Sequence, residues 1–376
     1  MDKLLKELLQ VAFGNRRELS FVPTTNDWKK VYRLSIEQSI VGICFLSAQR
    51  VRSFKPELLE NLEAALRMQW LGVSTEILRR NEVLNDRSRE LYNKLCDSNI
   101  NSCLLKGQAY NSYYTKILGE ECAYLRQAGD IDMWMIGDVD QVLYWIKQNG
   151  QLKTYDYHHA DCTIFSDVEV ELHYRPSISR NLIRNKRLQQ WFNGEGKSHI
   201  VFDERLGLNI PDSLFSIILA LNHNLWHLLV GGVGLRQTID LYVVVKSAWK
   251  MKDINLSELK RLIEYFQLSK FAAASAWVMW HVFENERKDS FLLFKDSPLP
   301  YPDEKKGKFL LEEIIEAGNF GKYDKRNKKK SHIAQLNMLI ALKHSLRLIC
   351  QYRTEVLWGP IGMVGISLWR RMRIRA

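Results

Sequence analysis

Little in this chain punctuates or staples it. Proline occurs 8 times and glycine 20 times in 376 residues. Long ordered elements are therefore expected, and linker-rich or collagen-like chains are excluded. The six cysteines (Cys44, Cys96, Cys103, Cys122, Cys162 and Cys350) form no Cys-x-x-Cys pair, and most sit among apolar neighbours, as in Gly42-Ile43-Cys44-Phe45. That excludes a disulfide framework and a cysteine zinc site, and it points to reduced cysteines in a cytoplasmic protein. No uncharged apolar run reaches the roughly 18 residues of a membrane span, so no transmembrane segment is expected. Met1-Asp2-Lys3-Leu4-Leu5-Lys6-Glu7 starts an amphipathic helix and lacks the apolar centre of a signal peptide.

What is present is ordinary globular composition, 46% hydrophobic and 26% charged, with Lys+Arg 54 against Asp+Glu 43 and a net charge of +11. A positive surplus favours anionic ligands, whether nucleoside triphosphate, nucleic acid or acidic lipid. Charge alone does not choose among them, and solubility explains it equally well.

Periodicity divides the chain into a helical region over 1–98, an α/β core over 99–205 and a helical domain over 206–376. Thr24 to Asp27 offer N-cap side chains ahead of Trp28, and helical spacing runs through about 52. Pro56 opens another helix that continues from Glu57 to about Asp97. The period changes at Ile100-Asn101-Ser102-Cys103-Leu104-Leu105, which reads as a strand. A second strand is expected over Asp130–Ile136, a helix over Val139–Gln148 stopped by Asn149-Gly150, and one or two strands over 152–166. Val168–Tyr174 alternates strictly, as a strand with two unlike faces does. After Pro176 the chain returns to helix. Pro211-Asp212-Ser213 caps a long apolar helix, Gly231-Gly232-Val233-Gly234 breaks it, and helices follow over 235–249 and 254–288. The expected class is α+β: a small mixed β-sheet core flanked by N-terminal and C-terminal helical regions.

Asp130 and Asp132 stand at i and i+2 on a predicted strand, so their carboxylates share a face. Such a pair alone is commonest as a solvated strand end. Like charges about 4 Å apart cost on the order of 4 kcal/mol at an effective dielectric near 20, and a divalent cation turns that cost into binding. Mg2+ or Mn2+ suits the donors. Glu169, Glu171 and His173 share one face of the alternating strand, so a third carboxylate reaches the first two if the strands are neighbours. Three carboxylates around metal ions fit phosphoryl or nucleotidyl transfer. Lys106-Gly107-Gln108 lies between a strand and a helix, where a glycine lets the backbone approach a phosphate; an ordinary strand–helix turn reads the same way. Arg126 is placed to meet a phosphate or to pair with Asp130 or Asp132.

These residues resemble a known family. Leu104-Leu105-Lys106-Gly107, Arg126 with Asp130-Ile131-Asp132, and Val170-Glu171-Leu172-His173 are similar to an uncharacterised bacterial nucleotidyltransferase family of the DNA polymerase β-like superfamily. His158-His159 and Leu235-Arg236-Gln237-Thr238-Ile239-Asp240 fit it too. The resemblance implies a metal-dependent enzyme moving a nucleoside monophosphate from a triphosphate, such as ATP, to a small-molecule or macromolecular acceptor. It makes Asp130, Asp132 and Glu171 the catalytic, metal-holding acids, with Glu171 preferred to Glu169. Lys106, Gly107, Gln108 and Arg126 would bind nucleotide, and His173, His227, Arg236 and Asp240 would contact substrate. The chain departs from the superfamily pattern at Gln108, where Gly or Ser is usual.

Other signals carry less. Gly194-Glu195-Gly196-Lys197-Ser198 lacks the first P-loop glycine, since Trp191 holds that position. His223 and His227 are i, i+4 neighbours without the zincin Glu, and are read as lining the interface between the helical domain and the active site. Arg236 and Asp240 also fit an i, i+4 ion pair. Lys325 to Lys330 reads as a solvated loop. Residues 356–369 carry no charge and precede Arg370-Arg371-Met372-Arg373-Ile374-Arg375. The 356–376 segment is too short to span, and is expected to dock on the core, on a partner protein or on an anionic membrane surface. Two alternatives remain beside nucleotidyl transfer. One is a glycosyltransferase using Asp-x-Asp with a nucleotide-sugar. The other is a non-catalytic nucleotide-binding protein, which Gln108 would favour.

Overall fold

A computed structural model describes residues 1–326 and 334–375. Three helices open the chain: α1 (Lys3–Ala12), α2 (Thr25–Glu37) and α3 (Val41–Phe54). Thr24 and Asp27 close a capping box at the start of α2, so the expected N-cap cluster does start a helix. The reading of 57–97 as one helix is corrected. Pro56–Leu59 is a separate 3-10 turn, and the long helix α4 starts later (Ala64–Asp97).

The sheet region follows as β1 (Ser102–Leu104), α5 (Asn111–Leu118), β2 (Ile131–Met135), α6 (Val139–Asn149), β3 (Gln151–Tyr155), β4 (His159–Thr163) and β5 (Val170–His173). Asp138 caps α6, accepting from the Gln141 N–H, and Gly150 ends it as expected. The strands lie in the order β1-β2-β5-β4-β3. β2 and β5 are parallel, while β1–β2, β4–β5 and β3–β4 are antiparallel. This mixed sheet among helices is the α+β class expected.

The two faces of β2 and β5 are unlike, as their alternation requires. Ile131, Met133, Val170 and Leu172 share a core with Leu84 and Leu91 of α4 and Val142 and Ile146 of α6. Asp132, Trp134, Glu171 and His173 take the other face, where Trp134 packs near Phe192 and Phe215.

The return to helix after Pro176 is only partly seen. α7 (Leu182–Asn193) is followed by a hairpin, β6 (Ile200–Asp203) and β7 (Leu208–Pro211). Val201 and Phe202 are both exposed, so the strand lacks the alternation that would have marked it. Helices then continue: α8 (Ser213–Val230), α9 (Leu235–Met251), α10 (Leu256–Tyr265), α11 (Ser269–Val282), α12 (Glu304–Ala317) and α13 (Ala334–Arg375). Asp212 caps α8 through the Phe215 N–H. The expectation that no run is long enough to span is corrected at α8: among the described residues it is the one helix long and apolar enough to cross a membrane, and it is mostly buried inside the protein.

Lys325 and Arg326 are exposed, as expected of the basic loop, but Arg326 is also engaged. It pairs with Glu313 and Asp324, which Arg347 of α13 also engages. Asn327 to Lys330, the rest of that loop, lie outside the described residues. All six cysteines are unbridged.

Candidate active site

Register brings the acids together. Asp132 on β2 is paired with Glu171 on β5, and Glu171 with Asp161 on β4. Side chains paired across adjacent strands lie about 5 Å apart on one face. A row of three carboxylates therefore crosses the sheet. One step further along, His173 is the register partner of His159. Asp130 lies just before β2, at the rim. Glu169 precedes β5, is mostly exposed and faces Lys153 at 3.9 Å, so it is set apart from this row while Glu171 joins it.

Hydrogen bonds fix the row. His173 Nε2 lies 3.0 Å from Asp132 Oδ1 and 3.4 Å from Glu171 Oε2. The Lys106 ammonium, at the end of β1, is 2.9 Å from Asp132 Oδ1. Burial works to raise the Asp132 carboxyl, but Lys106 and His173 outweigh it and hold it well below the usual range. Burial likewise opposes the His173 charge, and Asp132 and Glu171 overcome it, pushing that imidazole up to about 9. Asp130 goes the other way: the Asp132 charge, then burial, pushes it up to about 6. Two acids of one motif thus have opposite tendencies.

Gly107 follows Lys106 with φ +67°, a left-handed conformation that costs a side-chain-bearing residue about 1–2 kcal/mol. The space around it is open, with the Asp130 carbonyl 3.8 Å from where a Cβ would stand. Conformation rather than crowding is what requires glycine here. The expected helix begins as a 3-10 turn, Gly107–Tyr110, before α5. Gln108 lies in that turn, fully buried. Its two amide atoms have no hydrogen-bond partner among the described residues, and it does not line the cavity below.

Arg126, Arg236 and Asp240 turn out to be coupled. Arg126 is bidentate to Asp240, with bonds of 2.7 and 2.8 Å, and the Tyr114 hydroxyl donates to the same carboxylate at 2.8 Å. The alternatives of an Arg126 ion pair with Asp130 or Asp132, and of an Arg236–Asp240 pair, are both corrected. Asp240 is committed to Arg126, and the Arg236 Nη1 donates to the Gln127 carbonyl at 2.8 Å. Asn81 of α4 donates to the Tyr124 and Arg126 carbonyls, each at 2.8 Å. The segment leading into Asp130 is thereby pinned from α4 and α9.

These groups face a cavity of about 440 Å³, within the size range of small-molecule sites. Lys106, Gly107, Arg126, Asp130, Asp132, Glu171, His173, His227, Arg236 and Asp240 all line it. Its far wall comes from α8, where His223 and His227 stand with Nε2 atoms 2.9 Å apart and His223 lies 3.4 Å from the Lys106 ammonium. Burial drives both imidazoles toward neutrality, His227 down to about 3. The expected interface role of these two histidines has this geometry.

Phe320 completes the wall and was missed. Its ring lies 4.6 Å from that of His227, and the Arg236 guanidinium is 5.1 Å from its centroid. It has φ +56°, held where its loop packs on the Gly231–Gly234 turn. Gly232, at φ +145°, would place a Cβ 2.6 Å from Ala317 Cβ, so only glycine permits that approach.

A family model described as "Uncharacterised nucleotidyltransferase" matches residues 24–284. The chain belongs to the uncharacterised nucleotidyltransferase family. No curated protein and no solved structure matches it. The matched stretch contains the whole carboxylate row, Lys106 and the Arg126–Asp240 pair, whereas α12, Phe320 and α13 lie beyond it. Nucleotidyltransferases of this kind act on nucleotides, and a carboxylate–histidine cluster within the matched region has a metal site's spacing. Ligand atoms of Asp132, Glu171 and His173 lie within 4.8 Å of one another, as do those of His159, Asp161 and Glu171.

Asp161 extends the site beyond the residues read from sequence, and His159, noted there only as fitting the family, joins it. The alternation His159, Asp161, Thr163 against Ala160, Cys162 was the available signal for Asp161.

Proposed function

We propose that this protein is a metal-dependent nucleotidyltransferase that moves a nucleoside monophosphate from a triphosphate to an acceptor hydroxyl, amine or phosphate, releasing pyrophosphate. The observation that carries the reading is the register of Asp132 beside Glu171 on parallel strands, with Asp130 at the rim of the same cavity. The same arrangement supports placing the chain in the DNA polymerase β-like superfamily.

The donor set fits a hard divalent cation. Carboxylate oxygens dominate it, and the upward push on Asp130 by Asp132 is the strain that a cation relieves. Mg2+ or Mn2+ would be held by Asp130, Asp132 and Glu171, and would neutralise triphosphate charge and activate the attacking hydroxyl. The chain's own groups do the positioning. Lys106 offers a partly buried ammonium to phosphate oxygens beside Gly107. His173 bridges Asp132 and Glu171 and keeps both ionised and aimed. The Arg126–Asp240 pair and Arg236 hold the Gln127–Asp130 segment, so they act on chemistry through Asp130. His223 and His227, uncharged, offer donor and acceptor atoms to substrate on the opposite wall.

Gln108 weighs less against activity than its sequence position suggests, because its side chain is not part of the cavity wall. The test is pyrophosphate release from a panel of nucleoside triphosphates with Mg2+ or Mn2+, comparing the intact protein with Asp132→Asn. Turnover unchanged in the variant would sink the proposal. Release of nucleoside diphosphate from a nucleotide-sugar would instead support a glycosyltransferase, and absence of any nucleotide binding by calorimetry would support a binding or regulatory role.

A further inference from the structure

The C-terminal helix is docked on one side and bare on another. Its docked side uses Trp369, whose ring centroid lies 5.2 Å from that of Tyr157 and 5.6 Å from the Arg175 guanidinium. Gly362 packs on the Arg180 backbone, and Ile366 shares a small cleft with Tyr157 and Leu182. This contact meets the expectation that the segment docks on the core, and it leaves a second face uncovered.

That face carries Leu357, Ile361, Val364, Leu368 and Met372. Spacings of four, three, four and four put all five on one stripe of a helix. Their exposures run from 51% for Ile361 to 64% for Met372. Lone exposed apolar residues are normal, but an aligned row of five is a surface with a use. The row also has a neighbour. Leu182 and Ile183, at the start of α7, are 42% and 49% exposed, and Leu182 Cδ2 lies 3.9 Å from where a Cβ of Gly365 would stand. Two separate elements thus contribute apolar side chains to one region.

Charge then selects the occupant. Residues 356–376 contain no acid and four arginines, Arg370, Arg371, Arg373 and Arg375. Arg370 and Arg371 are exposed. Residues 172–194, which hold α7, also contain no acid, and carry Arg175, Arg180, Lys186 and Arg187 besides Arg184, which is buried against Glu355. Glu355, the last acid before the stripe, is buried and bidentate to Arg184, so its charge is spent internally. Two acid-free, basic stretches from distant parts of the chain converge on the same apolar region. A second copy would bring arginines against arginines with no acid on this face to pair them, and a different protein would have to supply both an apolar groove and acids of its own. An anionic bilayer requires only what is here: apolar side chains that enter the acyl boundary, and cations at the headgroup level.

We propose that the stripe Leu357-Ile361-Val364-Leu368-Met372, with Leu182 and Ile183 beside it, seats the protein on an anionic lipid surface. The part of α13 beyond the kink at Tyr352 lies along the membrane plane, with its docked side toward the protein and its stripe in the lipid. The site is distinct from the nucleotide cavity, and it stands whether or not nucleotidyl transfer is the chemistry.

The test is vesicle flotation of the full chain with phosphatidylcholine alone and with phosphatidylcholine mixed with phosphatidylserine. The expected result is flotation with the mixed vesicles, lost at high salt. Ile361→Glu/Leu368→Glu should lower the bound fraction by roughly tenfold or more, and Arg370→Glu/Arg371→Glu by a similar factor. Both pairs are exposed, so thermal melting should stay within a few degrees of the parent, and calorimetric binding of nucleoside triphosphate should be unchanged. Sedimentation equilibrium is run in parallel. A parent protein that stays with neither vesicle, a double variant that floats as well as the parent, or a dimer that the Glu substitutions dissociate would each overturn the proposal.

Discussion

Replacing Arg126 by Met tests how the segment carrying Asp130 is held. The Arg126 and Asp240 side chains are each 7% exposed, so their pair is hidden from solvent. Met keeps much of the stem and deletes the cation. Asp240 then retains the Tyr114 hydroxyl but loses both guanidinium bonds. Breaking a buried pair from one side costs about 3–5 kcal/mol, mainly because the remaining charge is stranded. The expected outcome is a fall of that size in urea-denaturation free energy, followed by tryptophan fluorescence. Adding Asp240→Leu and Tyr114→Phe removes the stranded charge and the hydroxyl that would be left without an acceptor. That triple variant should return to within about 1–2 kcal/mol of the parent, since apolar replacement of a buried pair is often neutral. Nucleotide affinity should not recover with it, because the Arg126–Asp240 tether is still gone and Arg236 alone then joins α9 to the Asp130 segment. A single variant losing under about 1 kcal/mol, a triple as unstable as the single, or a triple with full nucleotide affinity would each refute this reasoning.

At the carboxylate row, Asp132→Asn is expected to lower metal-dependent transfer by at least about a hundredfold with the fold retained, measured as pyrophosphate release and circular dichroism. His173→Gln keeps a donor toward Asp132 and removes the positive charge, so kcat should fall by roughly 10–100-fold with circular dichroism unchanged; full activity would show that His173 serves only the sheet. Gly107→Ala and Gly232→Ala separate conformation from crowding. The first should cost about 1–2 kcal/mol, the left-handed backbone alone. The second adds a Cβ 2.6 Å from Ala317 Cβ and should cost more, about 1–3 kcal/mol beyond its backbone strain. Equal melting temperatures for the two would contradict the geometry.

The parts of the fold legible in sequence are those governed by local rules. Caps at Thr24 and Asp212 start helices because a side-chain oxygen next to a free N–H is a short-range event. Strict alternation over 168–174 marks β5 because its two faces meet different surroundings. The β6–β7 hairpin escaped because its strands are short and Val201 and Phe202 are both exposed, so no inside–outside contrast is written there. The helix break at Gly231–Gly234 was legible, but not its use. The close approach of the 317–321 segment, and with it the placement of Phe320 in the cavity, depends on a contact between residues about ninety positions apart in the sequence.

The site divides the same way. That Asp130 and Asp132 go together follows from the period of a strand, whereas Glu171 was preferred to Glu169 only on the family pattern, and the start of β5 at Val170 then separates the two. Strand order does not follow from period. Only the order β2-β5-β4 sets Asp161 in line with Asp132 and Glu171, although the alternation of β4 is plain once its neighbours are known. Arg126, Arg236 and Asp240 show the converse. Their proximity to the site was expected from sequence, but a spacing of i, i+4 suggested the wrong partner. Once Arg126 reaches Asp240 with two bonds, Arg236 is displaced onto the Gln127 carbonyl. Under the proposed function both arginines act by fixing backbone, so their variants should change activity together with stability, and so should those of Asp132, whose buried carboxylate pairs with Lys106 and His173.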